Sequence, residues 1–359
     1  MDLGELTPLE GGWSGQTFLA TASDGRRVVV RRYDEGHVPV VDAAVLRRAA
    51  RIVPVPEVLD VAPGRLVTAY VAGVRGDLLV PTLSDDDLAR LGADVGRIGA
   101  LLASVELPTS GVFVDEDRTV EPFTGTLPEW VSSHAAGWSH WSASEVDGLR
   151  ALAEEAEARL AAVGRFSLVH SDLNPKNLVV DPSSLSVAAL LDWEFAHAGS
   201  PWTDPGNAVR FERQPAWVEA VVAAYDEPHA LDLARRADLW ALVELASRRG
   251  QNPVAVAAHD LLRAIAAARD VHAWSGWRCV SVGSRRRNQH SRTASWEHRH
   301  DLGDRRLHRS GDRARHRRPV HEGRALDADE HETRRKGAHD AGQADDGVDA
   351  QGMRAALAG

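Results

Sequence analysis

Leu168-Val-His-Ser-Asp-Leu-Asn-Pro-Lys-Asn-Leu-Val-Val180, followed by Leu190-Leu-Asp-Trp-Glu194, decides how this chain is read. It sets an acid at Asp172, an amide at Asn177 and a second acid at Asp192, each flanked by apolar, strand-like runs. Phosphoryl transfer from a nucleotide asks for this set: a carboxylate that orients and deprotonates a hydroxyl, and two oxygen ligands for Mg2+. A lone acid in a loop is usually a turn former or a cap. The spacing of three polar residues around two apolar runs argues against that reading here.

Outward from this stretch, the 359 residues are enough for two lobes, each with its own core, and the 43% hydrophobic fraction is ordinary. No run of 18 apolar residues appears, so no membrane partner is expected. The first residues, Met1-Asp-Leu-Gly-Glu-Leu, lack the basic-then-apolar pattern of a secretory leader, and Cys279 is the only cysteine. A cytoplasmic location is expected. The net charge of −10 suits solubility, and its field also attracts cationic small molecules.

Residues 1–72 read as a β-rich lobe. Asp24-Gly25 marks a hairpin, Arg27-Val-Val-Val-Arg-Arg32 a strand, and Asp42 to Ile52 a helix ended by Val53-Pro-Val-Pro56. Residues 73–275 read as a mostly helical lobe. Ser84 caps an amphipathic helix carrying Leu88, Leu91, Val95, Ile98 and Leu102 on one face, and further helices are expected at Glu145–Val163, Pro215–Tyr225, Ala230–Arg248 and Pro253–His272. From Gly276 the chain changes in kind: 18 basic and 13 acidic residues, half of the sixteen histidines and few aliphatics, without helical or strand period. Such a segment buries too little apolar surface to offset its ordering entropy, so residues 276–359 read as disordered or as an out-of-frame continuation. Its arginine runs would suit nucleic acid and its histidines metal, but neither is the expected partner.

His170-Ser-Asp-Leu-Asn-Pro-Lys-Asn177 and Leu191-Asp-Trp-Glu-Phe195 resemble the aminoglycoside phosphotransferase family, the small-molecule branch of the protein-kinase-like fold. Gly199-Ser-Pro-Trp-Thr-Asp204 resembles the segment that follows the metal strand in that family, which more often has glycine where Ser171 stands. Trp193-Glu194 is unlike the Phe-Gly of protein kinases, and no Ala-Pro-Glu follows. The resemblance covers about residues 5 to 274. It implies an α+β, two-lobed fold and a phosphotransferase that uses ATP or GTP with Mg2+ on a hydroxyl of a small molecule. Asp172 is then the catalytic acid–base residue, Asn177 and Asp192 hold the metal, and His170 braces the loop. Lys176 is a candidate for the γ-phosphate, and Asp204 a cap or loop anchor.

At the nucleotide end, Gly12, Ser14 and Gly15 form a glycine turn whose amides would approach phosphate oxygens. Arg31 stands where kinases carry lysine, and a guanidinium binds phosphate bidentately. Its expected partner is Asp42 on the following helix, and the adenine edge is expected near Ala69 and Val71. Acceptor selectivity is placed on Glu194 and Glu212, with Asp226 and Glu227, as an acidic rim for a cationic acceptor. Trp130, Trp138 and Trp141 read first as helix packing. The alternative function is a catalytically weak or silent relative that binds nucleotide or a metabolite for regulation, suggested by the Arg31–Asp42 departure.

Overall fold

A computed structural model describes residues 1–9, 16–33, 37–138 and 140–274. Gly12, Ser14, Gly15 and the tail from Gly276 lie outside the described residues. Alternating apolar residues build the first lobe. Strands β1 (Thr7–Pro8), β2 (Gln16–Thr21), β3 (Arg27–Arg32), β4 (Val58–Ala62) and β5 (Arg65–Ala69) form one antiparallel sheet in the order β1-β2-β3-β5-β4. Side chains alternate across a strand. In β3, Val28 and Val30 are therefore buried with Ala20 and Val67, while Arg31 and its cross-strand partner Leu66 face the other side. Helix α1 (Pro39–Ala49) covers that side with Ala43, Leu46 and Ala49. It begins three residues before the expected Asp42, because Pro39 occupies the first turn, where its missing N–H costs nothing.

The connection continues through β6 (Val74–Arg75) and a short helix α2 (Gly76–Leu79) into α3 (Asp85–Ala103). Ser84 caps α3 by accepting the Asp87 N–H at 3.2 Å, and Leu88, Leu91, Val95, Ile98 and Leu102 are buried at helical spacing. Three short strands, β7 (Glu106–Leu107), β8 (Gly111–Phe113) and β9 (Val120–Pro122), precede α4 (Leu127–Ala135) and α5 (Ala143–Ala161). The stretch around Asp172 and Asp192 then supplies β10 (Phe166–Val169), β11 (Leu178–Asp181), β12 (Ser186–Leu190) and β13 (His197–Gly199). Helices α6 (Thr203–Ala208), α7 (Pro215–Ala223), α8 (Ala230–Ala237), α9 (Leu239–Ser247) and α10 (Pro253–Ala268) complete the lobe.

The expected helix Ala230–Arg248 is two helices, broken at Asp238. Its carboxylate forms a buried ion pair with Arg210, a long-range contact that the helical pattern does not encode. All described residues fall in one compact unit.

Among the described residues, the helical lobe has a smaller cluster around Trp202, Ala230 and Ala237 and two larger cores. One joins α3, α7 and the catalytic strands to α1. The other joins α4, α5, α9 and α10 around Leu127, Trp130, Leu149, Leu239 and Leu261. Trp130 donates to Trp240 O at 3.2 Å, Trp141 donates to His259 Nε2 at 2.9 Å, and Trp138 stacks on Trp141 at 4.7 Å. These tryptophans are packing residues.

Helices α3 and α7 meet along glycines. A Cβ on Gly96 would lie 2.3 Å from Val221 O and 2.9 Å from Val221 Cα, so Gly96→Ala forces the helices apart. Overpacking of this kind costs ~1–3 kcal/mol against a helix-propensity gain of ~1 kcal/mol. The expected result is a lower urea midpoint for Gly96→Ala; an unchanged or higher midpoint would contradict the close approach.

Candidate active site

Strand β10 ends at His170, and the loop that follows is fixed from beneath. Asp204, in the first turn of α6 and 1% exposed, accepts the His170 N–H at 3.0 Å and the Ser171 N–H at 2.8 Å. Burial pushes its carboxyl up to about 6, opposed by those two amides. Ser171 adopts φ 65°, a left-handed conformation that favours glycine. That is the physical reason a glycine is more usual at this position.

His170 is fully buried. Its Nε2 donates to Leu191 O at 2.8 Å and its Nδ1 accepts the Asp172 N–H at 3.2 Å, while Trp193 packs edge-on at 4.8 Å. Donating from one nitrogen and accepting at the other requires the neutral ring. Burial lowers its pKa to about 4, which agrees. His170 therefore ties the loop to the strand that carries Asp192.

The Asp172 carboxylate accepts Asn174 Nδ2 at 2.7 Å and Asn177 Nδ2 at 2.6 Å. Committing the amide nitrogen of Asn177 to Asp172 leaves its oxygen as the atom that could act as a ligand. The β11–β12 hairpin pairs Leu178 with Leu190, and Leu191 N–H donates to Asn177 O at 2.8 Å. Asn177 and Asp192 thus leave the same end of one hairpin. Asp192 sits at φ 67°, which turns the chain sharply just past β12. Burial, and then Asp192, push the Asp172 carboxyl up to about 6, against the lowering effect of Arg210, Asn177 and Lys176. Lys176 is half-buried and its charge reaches Asp172; its backbone N–H caps onto Asn174 Oδ1 at 3.0 Å.

Arg210 escaped the sequence reading. It is 6% exposed and bonds Asp238 through Nε at 3.0 Å and Nη2 at 2.6 Å, and Asn207 Nδ2 joins the same carboxylate at 3.0 Å. This places a paired cation beneath Asp172. Nothing in its local sequence distinguishes Arg210 from other arginines.

Two expectations change on the opposite wall. Asp42 bonds His37 Nε2 at 2.9 Å, and His37 stacks on Tyr33 at 4.1 Å. The expected Arg31–Asp42 pair is replaced: Arg31 reaches across the cleft, with Nη1 on Asp192 and Nη2 on Glu194. Tyr33 and His37 stack on each other, and His37 pairs with Asp42 where Arg31 was expected. Glu194, expected on the acceptor rim, is instead paired with Arg31 on β3.

At the lobe connection, Ala69 N–H is taken by Glu57 O at 2.8 Å and Tyr70 N–H by Arg27 O at 3.1 Å, so Val71 is the first residue beyond the sheet. Glu212 is half-buried, and burial followed by the Asp77 charge pushes its pKa up to about 7. It has no hydrogen-bond or ion-pair partner among the described residues. Asp77 is held by Arg75 at 2.6 and 2.9 Å at the start of α2, which packs on the catalytic loop: a Cβ on Gly76 would lie 2.5 Å from Pro175 O. Asp226 and Glu227 stand at the α7–α8 turn instead.

The profile of the phosphotransferase enzyme family matches residues 5–240. The chain belongs to the phosphotransferase enzyme family. Among solved structures, it is similar to a choline/ethanolamine kinase family protein from Mesorhizobium loti, 22% identical, with 74% of this chain and 88% of that one covered at a TM-score of 0.53. It is also similar to a thermostable mutant of aminoglycoside phosphotransferase APH(4)-Ia in ternary complex with ADP and hygromycin B, 21% identical over 77% and 95% of the two chains at a TM-score of 0.52. These likenesses show the kinase-like fold. A mouse protein, acyl-CoA dehydrogenase family member 10, is 26% identical over 215 residues. That match covers 56% of this chain but 20% of the mouse protein, so the chain spans one fifth of that relative's length.

No group of three or more His, Cys, Asp or Glu side chains among the described residues forms a ready metal cage. A phosphotransferase metal site does not need one: Mg2+ keeps several waters and takes one or two protein oxygens plus phosphate oxygens. Asn177 and Asp192, at one end of one hairpin, fit that donor set. No helix among the described residues is long and apolar enough to cross a membrane.

Proposed function

We propose that this phosphotransferase transfers the γ-phosphoryl group of ATP to a hydroxyl of a small, cationic molecule in the cytoplasm. The observation that carries the reading is the Asp172–Asn177 hydrogen bond of 2.6 Å, set beside Asp192 by the β11–β12 hairpin. Asp172 holds the acceptor hydroxyl and takes its proton as the acceptor oxygen bonds to phosphorus and the bond to the β-phosphate oxygen breaks. A pKa of about 6 suits a base that works near neutrality. Asn177 and Asp192 would hold Mg2+, and Arg31 would meet the nucleotide phosphates. The metal, when bound, neutralises the charge that develops on the β- and γ-phosphate oxygens. His170 and Asp204 keep the loop in place, and Arg210 keeps a positive charge under Asp172.

The acceptor class rests on Glu212. A half-buried carboxylate without a partner among the described residues, beside Asp77 and next to the catalytic loop, suits an ammonium group on the acceptor. Glu212 binds such a group only when ionised. The expected result is that KM for a cationic acceptor falls as pH rises through about 7, while kcat changes far less. The check is a pH series of initial rates with wild type and Glu212→Gln. A KM independent of pH, or unchanged in Glu212→Gln, would remove Glu212 from the acceptor site. ATP turnover against a panel of amino alcohols and amino sugars tests the reading as a whole. Tight Mg-ATP binding without turnover on any of them would favour the regulatory alternative.

A further inference from the structure

Arg31 and its acids differ from the lysine–helix-acid arrangement that the motif implies. Four observations bear on which acid orients the cation. The parity of β3 turns Arg31 away from the Val28 and Val30 core and into the cleft. The chain beyond β12, turned at Asp192, presents Asp192 and Glu194 to the two arms of one guanidinium. Between these acids the Glu194 side chain is the more enclosed, 5% exposed against 25% for Asp192. Meanwhile Asp42 is engaged by His37 and faces the stacked Tyr33.

We infer that Glu194 is the positioning residue for Arg31, taking the part for which an acid on α1 was expected. The inference rests on the nucleotide-binding reading above and concerns that same site. Asp192 is needed as a metal ligand, so Glu194 is the acid that stays with Arg31 when the nucleotide site is filled. The side-chain chemistry suits this division. A guanidinium is a planar fork with five donors, so one edge stays on Glu194 while the other is offered to phosphate. An ammonium on a flexible stem has no second edge to hold it in register. Arginine at position 31 and glutamate two residues after the metal acid therefore belong together. One consequence is that phosphate binding becomes independent of the α1 acid.

The test uses the full chain and ADP as the probe, so it does not depend on the acceptor. Calorimetry with Mg-ADP, and with ADP in excess EDTA, is run on wild type, Arg31→Gln, Glu194→Gln, the double variant and Asp42→Asn. Glu194→Gln is expected to weaken ADP about tenfold with and without metal, and the double variant to bind within twofold of Arg31→Gln alone. Asp42→Asn is expected to have the smaller effect. Urea unfolding of the ligand-free set gives a second readout, in which the Arg31 and Glu194 substitutions are expected to be non-additive.

A loss in Glu194→Gln that vanishes in EDTA would overturn the inference, because it would make Glu194 a metal ligand only. Multiplicative losses in the double variant, or an Asp42→Asn loss that matches Arg31→Gln, would also overturn it. If Glu194→Gln does not fold, Glu194→Asp is compared in the same way, since it keeps the charge and loses the reach. Wild type that binds no Mg-ADP overturns the nucleotide-binding reading together with this inference. Wild type that binds while Glu194→Gln is unaffected overturns this inference alone.

Discussion

Asp172→Asn is expected to lower kcat by at least ~10²–10⁴-fold while leaving the Kd for Mg-ADP within about threefold of wild type. The substitution keeps the shape of the side chain and one acceptor oxygen; set toward Asn177, 2.6 Å away, that oxygen keeps Asn177 in place, while the new NH2 group displaces the Asn174 amide, 2.7 Å away. It removes the only atom pair proposed to take the acceptor's proton. The nucleotide site is assigned to other groups: Arg31 on β3, and Asn177 and Asp192 at the ends of the hairpin. Steady-state kinetics and calorimetry on the same preparation separate the two effects. Residual kcat within tenfold of wild type would mean that another group accepts the proton.

The second large effect falls on stability. Arg210 and Asp238 are 6% and 3% exposed, and their ion pair is joined by Asn207. Replacing the acid in Asp238→Ala leaves a buried guanidinium without its main counter-charge. Removing one partner of a buried pair typically costs ~3–5 kcal/mol, a large part of the stability of an ordinary domain. Asp172 does not replace that partner, because its two carboxylate oxygens are engaged by Asn174 and Asn177. The expected result is a markedly lower urea midpoint for Asp238→Ala. The double variant Arg210→Met with Asp238→Leu is expected to recover most of the loss, since well-packed apolar replacements of a buried pair are often neutral. If the double variant is less stable than Asp238→Ala, the pair contributes more than mutual compensation.

Much of this arrangement was legible in the sequence because the chemistry is local. Asp172, Asn177 and Asp192 lie within 21 residues, and one hairpin brings them together; their spacing carries their juxtaposition. The apolar period of α3 and the Ser84 cap were equally readable, because both depend on neighbours in sequence. What was not legible depends on contacts far along the chain. The acids that meet Arg31 lie 161 and 163 residues away, and the near one, Asp42, is claimed by His37 five residues before it. The break at Asp238, where the acid pairs with Arg210 28 residues earlier, falls in a stretch whose helical pattern is otherwise continuous. Glu212 was named among four candidate acids, but its lack of a partner and its approach to Asp77 are properties of packing alone.

The central claim is phosphoryl transfer to a small-molecule hydroxyl with Asp172 as base. Phosphorus NMR of the full chain with Mg-ATP and a panel of amino alcohols and amino sugars tests it most directly. A phosphomonoester resonance is expected that grows in step with ADP for at least one acceptor and is absent with Asp172→Asn. Saturable Mg-ATP binding with no phosphomonoester from any acceptor, or the same ester formed at an undiminished rate by Asp172→Asn, would contradict it.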